Sequence, residues 1–80
     1  MVRPNSAPLP DWVLARRRRI GEQIRQARLH ANLTQQAVGE RTGIDRSAII
    51  GIEYGRSAPS IDTLLLIADA IGVPLAELVR

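Results

Sequence analysis

The sequence predicts an all-α fold, a compact domain built from five short helices. Apolar residues recur three or four positions apart along most of the chain, which is the spacing of one helix face. Residues that cap helices precede these segments, and glycine or asparagine follows most of them. No segment shows the alternation of apolar and polar residues that is typical of a half-buried strand.

Length and composition restrict the class of protein. Eighty residues make one small domain, which buries about 60% of the surface of its unfolded chain or slightly more. The chain has no cysteine and one histidine, His30, so a disulfide framework and a thiolate metal site are excluded and a zinc site is not expected. It also lacks a phosphate-binding loop, a Ser/His/Asp set and paired carboxylates in a plausible cleft. We therefore predict no enzyme, no metal and no cofactor.

Residues 1–10 are predicted to form a flexible arm. They contain three of the five prolines, Pro4, Pro8 and Pro10, and otherwise mostly small or polar residues. Such a segment cannot build a core, so the folded domain is expected at residues 11–80. The chain shows neither the apolar run of a signal peptide nor the ~20 apolar residues that span a bilayer. We expect a cytoplasmic protein without membrane contact.

The first helix is predicted over residues 12–31, with Asp11 as its N-cap. Asn32 tolerates a left-handed backbone and suits the helix end. Spacings of four, three and four place the apolar residues of this segment on one face: Ile20, Ile24, Ala27 and Ala31.

The second and third helices are short and follow each other closely. Thr34 is predicted to cap the second, which runs to about residue 41 with Val38 inward, and Gly43 separates the two. Asp45 is predicted to cap the third, which runs to about residue 54 before Gly55. The inward residues of the third helix are expected to be Ala48, Ile49 and Ile52.

The fourth and fifth helices are richer in leucine and isoleucine. Ser60 is predicted to cap the fourth, which ends at Gly72, and Pro74 occupies the first turn of the fifth, where its missing N–H costs nothing. The inward residues are expected to be Ile61, Leu64, Ile67, Ala68 and Ile71, then Leu75, Leu78 and Val79.

Residues 34–53 form two short helices around one glycine-containing turn, which is a helix-turn-helix unit. In such a unit the second helix enters the major groove of DNA. The flanking motifs are Leu33-Thr34-Gln35, Gly43, Ile52-Glu53-x-Gly55, Pro59-Ser60 and Ala70-Ile71-Gly72-Val73. Together they make the segment from about residue 20 to 79 resemble the phage Cro/repressor-type helix-turn-helix family.

The resemblance implies a role for several side chains. It implies base contacts in the major groove for three residues, Arg46, Ser47 and Ile50. It implies contacts with the DNA backbone for four others, Thr34, Gln35, Arg56 and Ser57. It also implies a partly buried ion pair, Arg28 with Glu53, between the first helix and the end of the third. Independently, an arginine in the first turn of a groove helix can make two hydrogen bonds to a guanine edge, worth ~1–3 kcal/mol of discrimination.

Three positions depart from many members of that family. Gly39 stands where alanine is usual, and Gly51 weakens the third helix by ~1 kcal/mol relative to alanine. Ile50 is apolar where a polar residue is common; it suits either a thymine methyl or a protein contact. Three roles are open for the acidic Asp45: it caps the third helix, it orients the Arg46 side chain, or it disfavours binding to other DNA sequences. These departures concern the base code more than the fold.

Residues 16–19 are four consecutive arginines in the first helix. Four successive residues point in all directions around a helix, so they cannot all face one ligand. The run is interpreted either as a solvated segment or as one or two phosphate contacts, with Arg19 as the candidate. Trp12 is expected to pack on its own domain, with a partner contact as the alternative.

The charge distribution suggests a partner. Up to Ala58 ten arginines face five acids, and from Pro59 onward one arginine faces three, which gives +5 and −2. The net positive charge of residues 1–58 is suited to binding a polyanion. All of these basic residues are arginines and none is lysine, which the codon usage of a GC-rich genome would explain equally well. We predict sequence-specific binding of double-stranded DNA by a transcriptional regulator, without a small-molecule ligand because no sensor domain is seen. The main alternative is a protein-interaction module, such as an antitoxin or adaptor, with the same fold. RNA binding is a weaker alternative, because the sequence shows no aromatic platform for stacking bases.

The sequence also predicts a homodimer. A single helix-turn-helix domain usually binds tightly when two copies read half-sites about 34 Å apart. Leu65 and Leu66 fall outside the inward spacing of the fourth helix, and Val79 adds an apolar side chain to the fifth. We interpret Leu66 and Val79 as dimer-interface residues, the alternative being scattered surface residues, which are common.

Overall fold

Five helices lie close to their expected positions in the computed structural model, which describes residues 8–80. They are α1 (Asp11–His30), α2 (Gln35–Thr42), α3 (Arg46–Glu53), α4 (Ile61–Ile71) and α5 (Leu75–Val79), and the described residues contain no strand. The predicted all-α fold of five helices is therefore confirmed. Of the arm predicted at residues 1–10, residues 1–7 lie outside the described part of the chain.

Two of the predicted N-caps make the expected hydrogen bonds. The Thr34 hydroxyl accepts from the Ala37 N–H at 2.9 Å, and the Ser60 hydroxyl accepts from the Thr63 N–H at 3.1 Å. Each bond satisfies one backbone N–H that the first helical turn leaves without a partner. Local chemistry therefore starts α2 and α4 where the sequence predicted.

Of the other two N-cap predictions, that of Asp11 is wrong, and that of Asp45 is confirmed in position but without a side-chain hydrogen bond. Pro10 occupies the N-cap position of α1, and Asp11 is the first helical residue. Asp11 can still stabilise the helix through its charge, because a carboxylate in the first turn favours the positive end of the dipole. Asp45 is at the N-cap of α3 as predicted, but its side chain accepts no capping hydrogen bond.

Left-handed residues end several of the helices. Asn32 has φ of 57°, and the glycines after α2 and α4, Gly43 and Gly72, have φ of 77° and 88°. In this region an L side chain is strained, which explains the preference for glycine or asparagine. The sharp turns that follow allow eight- and eleven-residue helices to pack back on one another.

The five helices pack around one apolar core. α1 packs on α3 and α5, α2 packs on α3 and α4, and α4 packs on α5. The helix-turn-helix pair, α2 and α3, is thereby held by α1 on one side and α4 on the other. The buried apolar residues are Ile24, Val38, Ile49, Ile52, Leu64, Ile67, Ala68, Ile71 and Leu78.

Three residues predicted to lie inward, Ala48, Ala31 and Ile61, are exposed instead, and so is Trp12, which was expected to pack on its own domain. Ala48 is exposed because the inner face of α3 runs through Ile49, Ile52 and Glu53 and is turned away from it. Ala31 follows the end of α1. Ile61 and Trp12 are 64% and 71% exposed; both lie in a first helical turn, where side chains lean back beyond the helix end.

No helix within residues 8–80 has the length and apolar character needed to cross a membrane. The same residues contain no group of three or more His, Cys, Asp or Glu side chains that could hold a metal ion.

Candidate nucleic-acid interface

α3 is held in place by a close backbone contact with α1. A Cβ atom at Gly21 would lie 2.6 Å from the carbonyl oxygen of Glu53 and still closer to that of Ile52. Only glycine allows two backbones to approach so closely without a shift. Gly21 therefore sets how near α1 lies to the C-terminal end of α3.

A buried ion pair fixes the same junction. Arg28 Nε and Nη2 donate to the two carboxylate oxygens of Glu53 at 2.7 and 2.9 Å, and Arg28 Nη1 donates to the Leu33 carbonyl at 2.9 Å. The exposed fractions of the two side chains are 8% and 1%. A two-pronged, charge-assisted contact of this kind is directional as well as strong. The structure thus brings together the two residues for which the resemblance implied a pair. The hydrogen bond from Arg28 to Leu33 also fixes the segment that leads into α2.

Gln35 joins this network at the first residue of α2. Its Nε2 donates to Glu53 Oε1 at 3.2 Å, and the side chain is half-buried. A primary amide carries two N–H donors, so one remains after this bond is made. Glu53 therefore holds the Gln35 amide in a fixed orientation.

The outer face of α3 contains most of the residues predicted to meet bases. Arg46 and Ser47 are exposed in its first turn, and Gly51 is half-buried one turn later. Ile50, which was expected to be exposed, is half-buried. Tyr54 follows the helix directly and is 64% exposed. It lies seven residues, about two helical turns, after Ser47 and so extends the same face. Sequence reasoning missed Tyr54, although its position seven residues after Ser47 is the signal that places both on one face.

The turn after α3 brings further polar groups to this surface. The Arg56 guanidinium lies 4.9 Å from the centre of the Tyr54 ring, a cation–π arrangement. A Cβ at Gly51 would lie 3.3 Å from the Ser57 hydroxyl. Arg56 and Ser57 are both exposed, as a contact with DNA backbone requires.

A shallow open cleft of about 460 Å³ connects α1, α2 and α3 on this side. None of its lining residues is acidic; they are Arg25, Arg28, Thr34, Gln35, Gln36, Arg46 and Tyr54. Arg28 is neutralised by Glu53, and Arg25 forms an exposed ion pair with Glu22, 3.6 Å away. Arg46 has no ion pair within residues 8–80, so it supplies the unpaired positive charge of the cleft. Arg25 was not identified from the sequence. The sequence does place Arg25 on the same helix face as Gly21 and Arg28, because it lies four residues after the first and three before the second.

The arginines at residues 16–19 occupy different surroundings. Arg16 donates to the Val79 carbonyl at 3.2 Å, and Arg17 is half-buried beside Trp12 at an apolar groove. Arg19, the predicted backbone contact, is exposed but lies two residues before Gly21, on the side of α1 that is turned away from α3. From that side, Arg19 is poorly placed to contact the same DNA that α3 binds.

The two predicted dimer residues are placed differently. Leu66 is 48% exposed on α4, as expected for a contact surface. Val79 is half-buried and packs against the core. Val79 therefore has little side chain left for a partner.

A helix-turn-helix family model matches residues 24–78 of the chain. An uncharacterized HTH-type transcriptional regulator of Methanothermobacter thermautotrophicus is 43% identical over 49 residues, which are 61% of this chain and 71% of that protein. The immunity repressor protein of Bacillus phage phi105 is 33% identical over 60 residues, 75% of this chain. The matched segment spans 42% of that repressor's length.

Among solved structures, the restriction-modification controller protein C.AhdI from Aeromonas hydrophila is similar in fold. The TM-score is 0.78 at 30% sequence identity, and the match covers 80% of this chain and 97% of the controller protein. Sequence and structure comparisons therefore agree with the helical architecture. The chain belongs to the helix-turn-helix family of DNA-binding transcriptional regulators.

Proposed function

We propose that this chain binds a short two-fold operator in double-stranded DNA, as a homodimer, and reads its bases with α3 in the major groove. The observation that carries the proposal is the continuity of the exposed first turn of α3 with a cleft that no acidic side chain lines. An arginine there can meet a guanine edge while the cleft faces the phosphates beside it. The relatives described above are named as a repressor and a regulator, which favours DNA binding over the protein-interaction module.

The backbone contacts follow from the hydrogen bonds already in place. One N–H of the Gln35 amide is taken by Glu53, and the other is free to donate to a phosphate oxygen. The Thr34 hydroxyl accepts from Ala37, so its own proton remains available as a donor. Arg56 and Ser57 supply donors from the turn after α3. These contacts fix the orientation of the protein on the duplex without reading its sequence.

Arg46 is expected to read a base. Arg46→Ala should cost ~1–3 kcal/mol of binding free energy on the preferred site and relax the preference at one base pair. The measurement is selection from a random DNA pool, followed by titration of the selected duplex and its single-base variants. Arg80→Ala, at an exposed arginine after α5, is the matched control. An equal loss on every DNA sequence would make Arg46 a phosphate contact instead.

The dimer is proposed to form through the outer face of α4. This face carries three exposed large apolar residues, Ile61, Leu65 and Leu66, whereas Val79 is used by the core. An isologous contact between two copies would relate two α3 helices by a two-fold axis, as a two-fold operator requires.

Leu66→Glu is expected to weaken self-association and operator binding together, because it places two carboxylates in the contact and buries them without partners. Sedimentation and operator titration measure the two effects, and circular dichroism checks the fold. Leu29→Glu, at a leucine of similar exposure on α1, is the control for sedimentation. A parent protein that is strictly monomeric at high concentration would contradict the dimer, and an intact Leu66→Glu dimer would place its interface elsewhere.

A further inference from the structure

α1 begins well before the segment that the family shares. The helix starts at Asp11, whereas the family match starts at residue 24. Residues 11–23 of α1 therefore lie outside the matched segment, and they include the four consecutive arginines. Any DNA contact from this part of α1 would be added to those of the helix-turn-helix unit.

One arginine of the run, Arg18, lies directly against the turn that follows α3. Gly55 in that turn has φ of +73°, and a Cβ there would lie 2.9 Å from Arg18 Cα and 2.8 Å from Arg18 Cγ. The α1 backbone at Arg18 is thus pressed onto the turn, and the first atoms of the side chain rest on Gly55. The next residue along the turn is Arg56, one of the proposed backbone contacts.

The same face of α1 continues toward the acid-free cleft. Arg18, Gly21, Arg25 and Arg28 follow each other at spacings of three, four and three, which places them on one side of the helix. Gly21 and Arg28 contact the end of α3, and Arg25 lines the cleft. Arg18 therefore lies at the far end of a face whose other members border the proposed DNA surface.

The charge of Arg18 is exposed and available. The side chain is exposed, and no hydrogen bond or ion pair joins its guanidinium to residues 8–80. Glu22, one helical turn later, has its carboxylate 3.6 Å from Arg25 instead. The neighbouring arginines differ, since Arg16 is bonded to α5 and Arg17 is half-buried.

We propose that Arg18 binds a DNA phosphate beside the one met by Arg56, so that α1 lengthens the footprint of each protomer by one backbone contact. This inference rests on the proposed DNA binding and assigns to Arg18 the contact that the sequence suggested for Arg19. Arg18 and Arg56 belong to different elements that the Gly55 contact holds together. Their guanidinium groups can therefore follow one strand of the duplex past the end of α3.

The salt dependence of DNA binding tests the assignment. Titration of the selected operator between 50 and 200 mM salt gives the slope of log affinity against log salt. Arg18→Gln should reduce this slope by about 0.9 per protomer, or about 1.8 for a bound dimer, because one phosphate contact per protomer is lost. Across that salt range the affinity advantage of the parent over Arg18→Gln should shrink by about tenfold. Arg56→Gln is the reference for loss of one contact.

The arginine run supplies its own control. Arg19→Gln removes the same charge from the other side of α1 and should leave the slope unchanged, and Arg18→Lys should keep the parent slope because the charge stays. Thermal melting of each variant verifies the fold. Arg18→Met is a second variant without the charge, and it keeps a Cγ atom in contact with Gly55. If Arg18→Gln or Arg18→Met keeps the parent slope, or if Arg19→Gln reduces the slope as much as Arg18→Gln does, the assignment to Arg18 is wrong while the proposed DNA binding stands. A parent protein without salt-dependent DNA binding overturns the proposed function as well.

Discussion

Replacing Glu53 by alanine is expected to destabilise the fold by about 3–5 kcal/mol, because it leaves the Arg28 guanidinium buried without a counter-charge. The side chains of Glu53 and Arg28 are only 1% and 8% exposed, so water cannot replace the lost carboxylate. A small domain has a total stability of about 5–15 kcal/mol. Thermal and urea unfolding followed by circular dichroism should therefore show a much lower midpoint for Glu53→Ala than for the parent protein, with a large unfolded share at room temperature if the parent stability is at the lower end of this range.

Two comparisons separate this effect from the loss of any carboxylate. Glu22→Ala removes an exposed partner of Arg25, 3.6 Å away, and should cost no more than about 1 kcal/mol. The double variant Arg28→Met with Glu53→Met removes both charges, and it should recover most of the stability because no buried charge is left unpaired. A midpoint for Glu53→Ala close to that of Glu22→Ala would contradict the burial of the pair.

Gly21→Ala is expected to destabilise the fold by about 1–3 kcal/mol or more, although alanine is the better helix former by about 1 kcal/mol. The atoms that the new Cβ would meet are backbone carbonyl oxygens of Ile52 and Glu53. Backbone atoms cannot rotate away, so α1 must move off α3. Urea unfolding of the parent and the variant measures the difference.

Gly51→Ala is the matched control for Gly21→Ala. It is also a helical glycine, but the nearest atom to its added Cβ is the Ser57 hydroxyl at 3.3 Å. A side-chain hydroxyl can turn aside, so this variant should be neutral or more stable by up to about 1 kcal/mol. Equal stability changes for the two alanine variants would show that the contact between α1 and α3 is looser than the structure has it.

The sequence contained enough information for the fold and for much of the site. Caps such as Thr34 and Ser60 and left-handed positions such as Asn32 and Gly43 are local signals, so the helices appear close to where they were predicted. The pairing of Arg28 with Glu53, 25 residues apart, is not a local signal. It came from the resemblance to a family, and the structure adds its burial and its link to Gln35.

Residues at the edges of a helix face were harder to place. Trp12 and Ile61 are apolar, but a residue in a first turn has no preceding turn of its own helix to lie over. Among the arginines the choice between Arg18 and Arg19 depends on which side of α1 faces α3. That side is set by the approach at Gly21, a tertiary contact that periodicity alone does not reveal.

The length of α1 has a consequence for how quickly the domain assembles. α1 has 20 residues, whereas α2 and α3 have 8 each, α4 has 11 and α5 has 5. Isolated helices shorter than about 12–15 residues are marginal in water, so α1 is the element able to hold helical turns before the others dock. Such turns already align Gly21 and Arg28 for contact with α3. Substitutions that change the helix propensity of α1 should therefore act on the folding rate, and those in α5 on the unfolding rate.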